Sequence, residues 1–455
     1  MKTCFLALYR LFFFAAALAA VMACSNDSDD NNGGGNSSGN VGSSSSGSVA
    51  PPIGAEWPFD SSGENLQESP GLESMNLQNV ITIKYNNGNA PDITNPFSEA
   101  EIVPNGENVT VTTSGTTEYN FVLSGTAQNG SFKVYGDARL GLYLNGVNIT
   151  NNSGPAINIQ NGKRVSVHLV HGTNNLLTDG PSYQTLQGEE QAKGAFFSEG
   201  TLSVSGSGSL EVKGKNNHAI VTDEHFEVEN GTIIVNESKN DCIHANNKIE
   251  VRGGILKLAC VGDAIQNERI GQSVKILGGK IAAQTSGIKS HGIASESPVT
   301  IDGQAIVQIN VLGNGSKGIR SRNYVEILNG NIAIKTTGGR HITPASERDP
   351  SDPDTTSNAA GIRVSGESNS DFFVEGGKLA IKSSGEHAKG INIDGSMFMK
   401  TGELDVEAYG DVFKIRGNLS IDGGSVKAKS RSKDCIDVSG TKTGESFIND
   451  SSCGF

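Results

Sequence analysis

Lys248-Ile249-Glu250-Val251-Arg252-Gly253-Gly254-Ile255-Leu256-Lys257-Leu258 holds two short runs hinged on a glycine pair. Within each run apolar side chains fall on every second residue, the period of a strand with one face buried. The two glycines supply a turn. The unit returns at Asn230-Gly231, Gly278-Gly279, Asp302-Gly303, Asn329-Gly330, Gly376-Gly377, Thr401-Gly402 and Gly423-Gly424. From Gly231 onward the successive spacings are 23, 25, 24, 27, 47, 25 and 22 residues. The long interval contains residues 340–359, a polar Pro/Ser/Asp/Thr stretch that reads as one loop inserted into a regular repeat.

About half a period away lies a second column, in which a small residue precedes a large apolar one. It reads Ala219-Ile220, Cys242-Ile243, Ala264-Ile265, Gly287-Ile288, Gly292-Ile293, Gly318-Ile319, Gly361-Ile362, Gly390-Ile391, Val412-Phe413 and Cys435-Ile436. Coils stacked about 4.8 Å apart need a small residue at a crowded corner and a large one to fill the interior. Two or three short strands in each turn of 22–25 residues describe an all-β, right-handed parallel β-helix solenoid. The Leu-x-x-Leu-x-Leu pattern of leucine-rich repeats is absent, and a propeller blade needs about 40 or more residues. Residues 108–179 are β-like but less periodic, and predict an irregular N-terminal cap over the open strand edge.

Outside the repeat the composition changes. Lys2 and Arg10 precede an apolar segment, residues 11–23, of signal-peptide length. Val21-Met22-Ala23-Cys24 resembles a bacterial lipobox, which implies cleavage before Cys24 and lipidation of its sulfur. Asp27, Asp29 and Asp30 resemble the surface-export tag of some Gram-negative lipoproteins, implying an outer-membrane lipoprotein exposed at the cell surface. Residues 24–74 are Ser, Gly, Asn and Asp with few apolar groups, the composition of a flexible stalk. The sole Trp, Trp57, falls in it. The solenoid is expected over residues 75–455. A net charge of −13 argues against nucleic acid as a partner.

Leu142-Tyr143-Leu144-Asn145-Gly146-Val147-Asn148-Ile149-Thr150 and Gly172-Thr173-Asn174-Asn175-Leu176-Leu177-Thr178-Asp179-Gly180 resemble the opening of a bacterial carbohydrate-binding β-helix family with a member from a cellulose-degrading clostridium. The likeness continues through residues 200–210, His218-Ala219-Ile220 and Asn240-Asp241-Cys242-Ile243-His244. It implies a non-catalytic, calcium-containing, pectate-lyase-like β-helix that binds cellulose-like or acidic polysaccharide such as polygalacturonate.

The residue before the small one reads His218, Asp241, Asp263, Ser286, His291, Lys317, Ala360, Lys389, Asp411 and Asp434. Asp241 with Asp263, and Asp411 with Asp434, fall in consecutive coils, where stacked carboxylates would repel without a cation such as Ca²⁺ between them. Alternatively, each Asp caps backbone N–H groups. Lys289, Lys317, Arg320, Arg322 and Lys389 form a cationic column that could pair with polyuronide carboxylates, or be ordinary surface charge. Tyr324 and Tyr409 are candidates for stacking on sugar rings. Cys242/Cys260 and Cys435/Cys453 share a separation of 18, which suits two local disulfides; the column position of Cys242 and Cys435 suits buried thiols equally.

Two motif matches fail in context. Gly313-Asn314-Gly315-Ser316-Lys317-Gly318 has no following helix, and Gly35-Asn36-Ser37-Ser38-Gly39 lies in the stalk. Three functions follow from these residues: a carbohydrate-binding surface lipoprotein, a calcium-dependent polysaccharide lyase on the same scaffold, and an adhesive or structural surface protein.

Overall fold

A computed structural model describes residues 68–184, 190–344, 355–366, 370–432 and 435–451. The signal peptide, Cys24, most of the stalk, Trp57, Asp434 and Cys453 lie outside them. The described chain is an all-β parallel solenoid of about 13 turns. Each regular coil contributes three strands, typified by Ile243–Ala245, Ile249–Val251 and Ile255–Cys260. The first strands of all coils form one column, a 14-stranded sheet, and the second and third form two columns of a 26-stranded sheet.

Stacking identical side chains is what fixes the register. Ile220, Ile243, Ile265, Ile293, Ile319, Ile362, Ile391 and Phe413 follow one another in strict register and are buried. Of the two small–large pairs read between residues 287 and 293, only Gly292-Ile293 belongs to this column. Ile288 is 61% exposed, in a turn that lengthens its coil. The small residue is demanded by the third strand of the same coil. A Cβ on Gly361 would stand 2.3 Å from Ile381 Cγ2 and 2.8 Å from Gly390 O. The hinge glycines have a different reason: Gly231, Gly254, Gly279 and Gly330 all take positive φ, which side chains resist.

The ends and the insertion depart from the parallel rule. At the N-terminus Val80–Asn86 pairs antiparallel with Asp92–Thr94, and Ala100–Asn105 with Asn108–Thr113. Those hairpins cover the edge of the first coil, so the cap lies ahead of most of residues 108–179, where the strands Tyr119–Ala127, Ser131–Tyr135 and Leu140–Thr150 already pair in parallel as regular coils. Where one inserted loop is expected, Arg340–Thr343 and Thr355–Asn358 instead form an antiparallel hairpin. Its polar sequence alternates with Ile342 and β-branched threonines, so it can pair with itself without entering the core.

Candidate functional site

The outer face of the first column carries the row that the sequence singled out. His218, Asp241, Asp263, His291 and Lys317 stand on successive coils, and each side chain short of Lys317 accepts the N–H of the next member. Asp241 N–H donates to His218 Nδ1 (3.3 Å), Asp263 N–H to Asp241 Oδ1 (2.7 Å), and Lys317 N–H to His291 Nδ1 (3.0 Å). His291 N–H donates to Asp263 Oδ1. The row is thus a side-chain ladder that runs beside the backbone ladder.

At its centre three groups converge. Asp241 Oδ2 lies 3.0 Å from His218 Nδ1 and 2.9 Å from His244 Nδ1, and the two imidazole rings are 4.5 Å apart. His244 projects outward one strand position past Ile243, and its Nε2 reaches Glu268 at 3.4 Å on the next coil. Burial alone would lower His244, but its bonds to Asp241 and Glu268 raise it to about 10. Burial likewise opposes the Asp241 charge, yet His218 and His244 outweigh it and hold the carboxyl well below the usual carboxylate range. Asp263 goes the other way: burial, then the Asp241 charge, push it well above that range.

The ligating atoms of His218, Asp241 and His244 all lie within 4.8 Å of one another, so this buried group could hold a metal. Two imidazoles and a carboxylate are the donors of a zinc-type ion. They do not suit Ca²⁺, which takes six to eight oxygens. The Asp241–Asp263 pair therefore does not fit the calcium cradle expected of stacked carboxylates. Asp241 Oδ1 and Asp263 Oδ1 are occupied by backbone N–H groups, and Asp241 Oδ2 is faced by nitrogen. Asp411 is half-buried on its coil.

The expected cationic column is placed largely beneath the surface. Lys317 is fully buried, its Nζ donating to Gly315 O (2.9 Å) and to Ser357 Oγ (2.7 Å) of the inserted hairpin. Lys289 Nζ reaches Thr343 Oγ1 on the same hairpin at 2.9 Å. Arg320, 3% exposed, meets Glu296 Oε1 at 3.1 Å, and Arg322 Nε meets Glu296 Oε2 at 3.0 Å. Lys389 is buried. The insertion thus covers Lys317 and holds Lys289, while Glu296 neutralises Arg320 and Arg322. A disulfide joins Cys242 to Cys260 across one coil, with Cα atoms 5.7 Å apart. Cys435 is also disulfide-bonded.

A second outward row lies on the middle column. There Phe373 and Phe398 stack with centroids 5.5 Å apart and planes at 13°, and Tyr324 meets Phe373 edge-on at 6.1 Å. Tyr409 packs against His387 on another face. The two phenylalanines went unread because Phe372-Phe373-Val374 and Met397-Phe398-Met399 look like continuous core strands. Alignment with the alternating Tyr324-Val325-Glu326-Ile327 would have shown that their middle residues face outward.

Fold and site together define a β-solenoid with one self-bonded polar face and another face carrying aromatic rings. A family model described as carbohydrate-binding domain-containing protein matches residues 105–388, and the chain belongs to that family. A carbohydrate-binding domain-containing protein of Acetivibrio thermocellus is 32% identical over 95 residues, covering 21% of this chain and 33% of that protein. The match thus spans about a third of the relative's length. The solved polysaccharide lyase-like protein from C. thermocellum, a gadolinium derivative, aligns over 80% of this chain and 99% of its own at 16% identity, with a TM-score of 0.29.

Proposed function

We propose that this protein is a non-catalytic, lipid-anchored carbohydrate-binding protein that holds plant-type polysaccharide, acidic or cellulose-like, at the outer surface of the outer membrane. Its membership of a carbohydrate-binding family, over residues 105–388, carries the reading. The lipobox-like Val21-Met22-Ala23-Cys24 and the stalk after it support the anchor. For an acidic chain, Arg322 and Lys289 are the members of the expected cationic column that are partly exposed. Calcium remains in the proposal at Asp411 and Asp434, whereas the donor set around Asp241 suits a zinc-type ion.

Retention of the full chain on immobilised glycans, with and without Ca²⁺, tests the binding. Accumulation of an unsaturated, ultraviolet-absorbing product from polygalacturonate would overturn the non-catalytic reading in favour of a lyase. Retention on no glycan would overturn the binding itself and favour an adhesive protein. For the anchor, Cys24→Ala should move the protein from the membrane to the soluble fraction.

A further inference from the structure

The outward positions of the middle column align as Glu250, Lys275, Thr300, Glu326, Phe373 and Phe398, one residue per coil. Five steps of about 4.8 Å make this row roughly 24 Å long. Its last two members are the stacked rings, and Phe398 is 39% exposed although it sits mid-strand with buried methionines on either side. The first four line a groove of about 650 Å³ whose walls include Tyr324 and Ile270, the latter 82% exposed. Groove and rings meet at Tyr324 and Glu326, so the row is one continuous track.

We infer that this track is the glycan-binding site, and that it takes an uncharged, straight polysaccharide chain laid along the solenoid axis. The inference rests on the carbohydrate-binding reading above and names its site. Three features select the ligand. Phe398, exposed and backed by the stacked ring of Phe373, offers apolar area to the C–H face of a sugar ring. A pyranose repeat is close to the coil spacing, so an extended, equatorially linked chain sets a ring against each coil, whereas a wound chain leaves the row. The groove also contains Asp302 and the carboxylates Glu250 and Glu326, with Lys275 as its lysine. Glu250 is engaged by Lys248 and Arg252. With Glu250 neutralised by these two cations, Asp302 and Glu326 outnumber Lys275, so the groove offers a polyanion no cationic match, while Asp302 and Glu326 can accept hydrogen bonds from sugar hydroxyls.

Affinity electrophoresis and calorimetry of the full chain, with a soluble cello-oligosaccharide and with polygalacturonate, test this. The parent should bind the cello-oligosaccharide in preference. Phe398→Ala should weaken that binding about tenfold, the worth of one stacked ring. Phe398→Tyr should keep it, and the Phe373→Ala/Phe398→Ala double variant should lose it. The melting temperature of Phe398→Ala, an exposed site, should stay near the parent's and so separate lost binding from lost fold. Unchanged cello-oligosaccharide binding by Phe398→Ala and the double variant would overturn the site and leave the carbohydrate-binding reading standing. Binding of polygalacturonate alone would overturn the uncharged ligand, and binding of neither would overturn both.

Discussion

Asp241→Asn and Asp263→Asn should move stability in opposite directions, although the two carboxylates occupy the same row one coil apart. The Asp241 carboxylate faces the imidazoles of His244 (2.9 Å) and His218 (3.0 Å) and accepts Asp263 N–H. Removing one partner of a buried ion pair costs about 3–5 kcal/mol. Glu268 remains near His244 at 3.4 Å, and Asp263 is relieved of a neighbouring charge, so the lower end of about 3 kcal/mol applies. Asp263→Asn keeps the acceptor for His291 N–H while removing a disfavoured charge, so it should be at least as stable as the parent at neutral pH. The pH dependence separates the groups further. His244 titrates at about 10 in the folded state against an ordinary 6.5. Its contribution is therefore complete below the ordinary value and lost as pH rises through the folded one. That of Asp241 is present above the ordinary 3.8 and lost as pH falls through its depressed value. Asp263 is the reverse: stability falls as pH climbs from 3.8 toward its raised value, so the gain from Asp263→Asn should grow between acid and neutral pH. Urea denaturation in EDTA at about pH 5, 7 and 9 reads all of this. Equal losses for the two variants at neutral pH would refute the assignment of opposite roles.

Three further outcomes follow from local geometry. Glu107 accepts N–H bonds from Gly88 (2.5 Å), Gln128 (2.9 Å) and Asn129 (2.8 Å). Burial opposes its charge, but these bonds prevail and lower its pKa, so Glu107→Gln should cost about 2 kcal/mol near neutrality. That cost should shrink as pH falls below the ordinary 4.5; a pH-independent loss in thermal melts would contradict this. Removing the Cys242–Cys260 disulfide, which closes a separation of 18 residues, should lower stability by about 3 kcal/mol. Non-reducing peptide mapping that finds both thiols free would end that expectation. Gly361→Ala should destabilise by about 1–3 kcal/mol through its clash with Ile381, and Gly410→Ala, with its nearest contact at 3.3 Å, should do so far less. Similar melting temperatures for the two would show that the corner is not crowded.

How much could be read from sequence differs between the inside and the outside of the coil. The interior repeats because each coil must present the same shape to the next, so the small residue and isoleucine recur and reveal period and strand order. Even there Gly287-Ile288 imitated the true pair, since an added turn shifts sequence spacing without shifting register. Outside, nothing forces recurrence. The row His218, Asp241, Asp263, His291, Lys317 was found only because it abuts the repeating pair, and its chemistry depends on what covers it. Lys317 is a surface cation by sequence and a buried one in the fold, because the inserted hairpin brings Ser357 over it. His244 follows Asp241 by three residues on the same coil, but its meeting with His218 and Glu268 depends on contact between coils. Phe373 and Phe398 were hidden because a strand with apolar residues on both faces looks the same as a core strand.

The same register that builds the core also decides which outer row can bind. From His218 to His291 each side chain of the first-column row accepts the N–H of the following coil, and the neighbouring arginines meet Glu296. A group whose bonding is met within the protein gains little from a ligand, since it must first give up a partner of comparable worth. Such a row stiffens the stack. On the middle column Phe373 lies between Tyr324 and Phe398, while Phe398 at the end of that trio keeps part of its ring in water. Covering that area with a sugar face displaces water without breaking any bond already made. Because coil follows coil at a fixed rise, the gain recurs at the repeat of an extended glycan rather than at an isolated point. Binding by such a row should strengthen with oligosaccharide length until the chain spans the track, then level off.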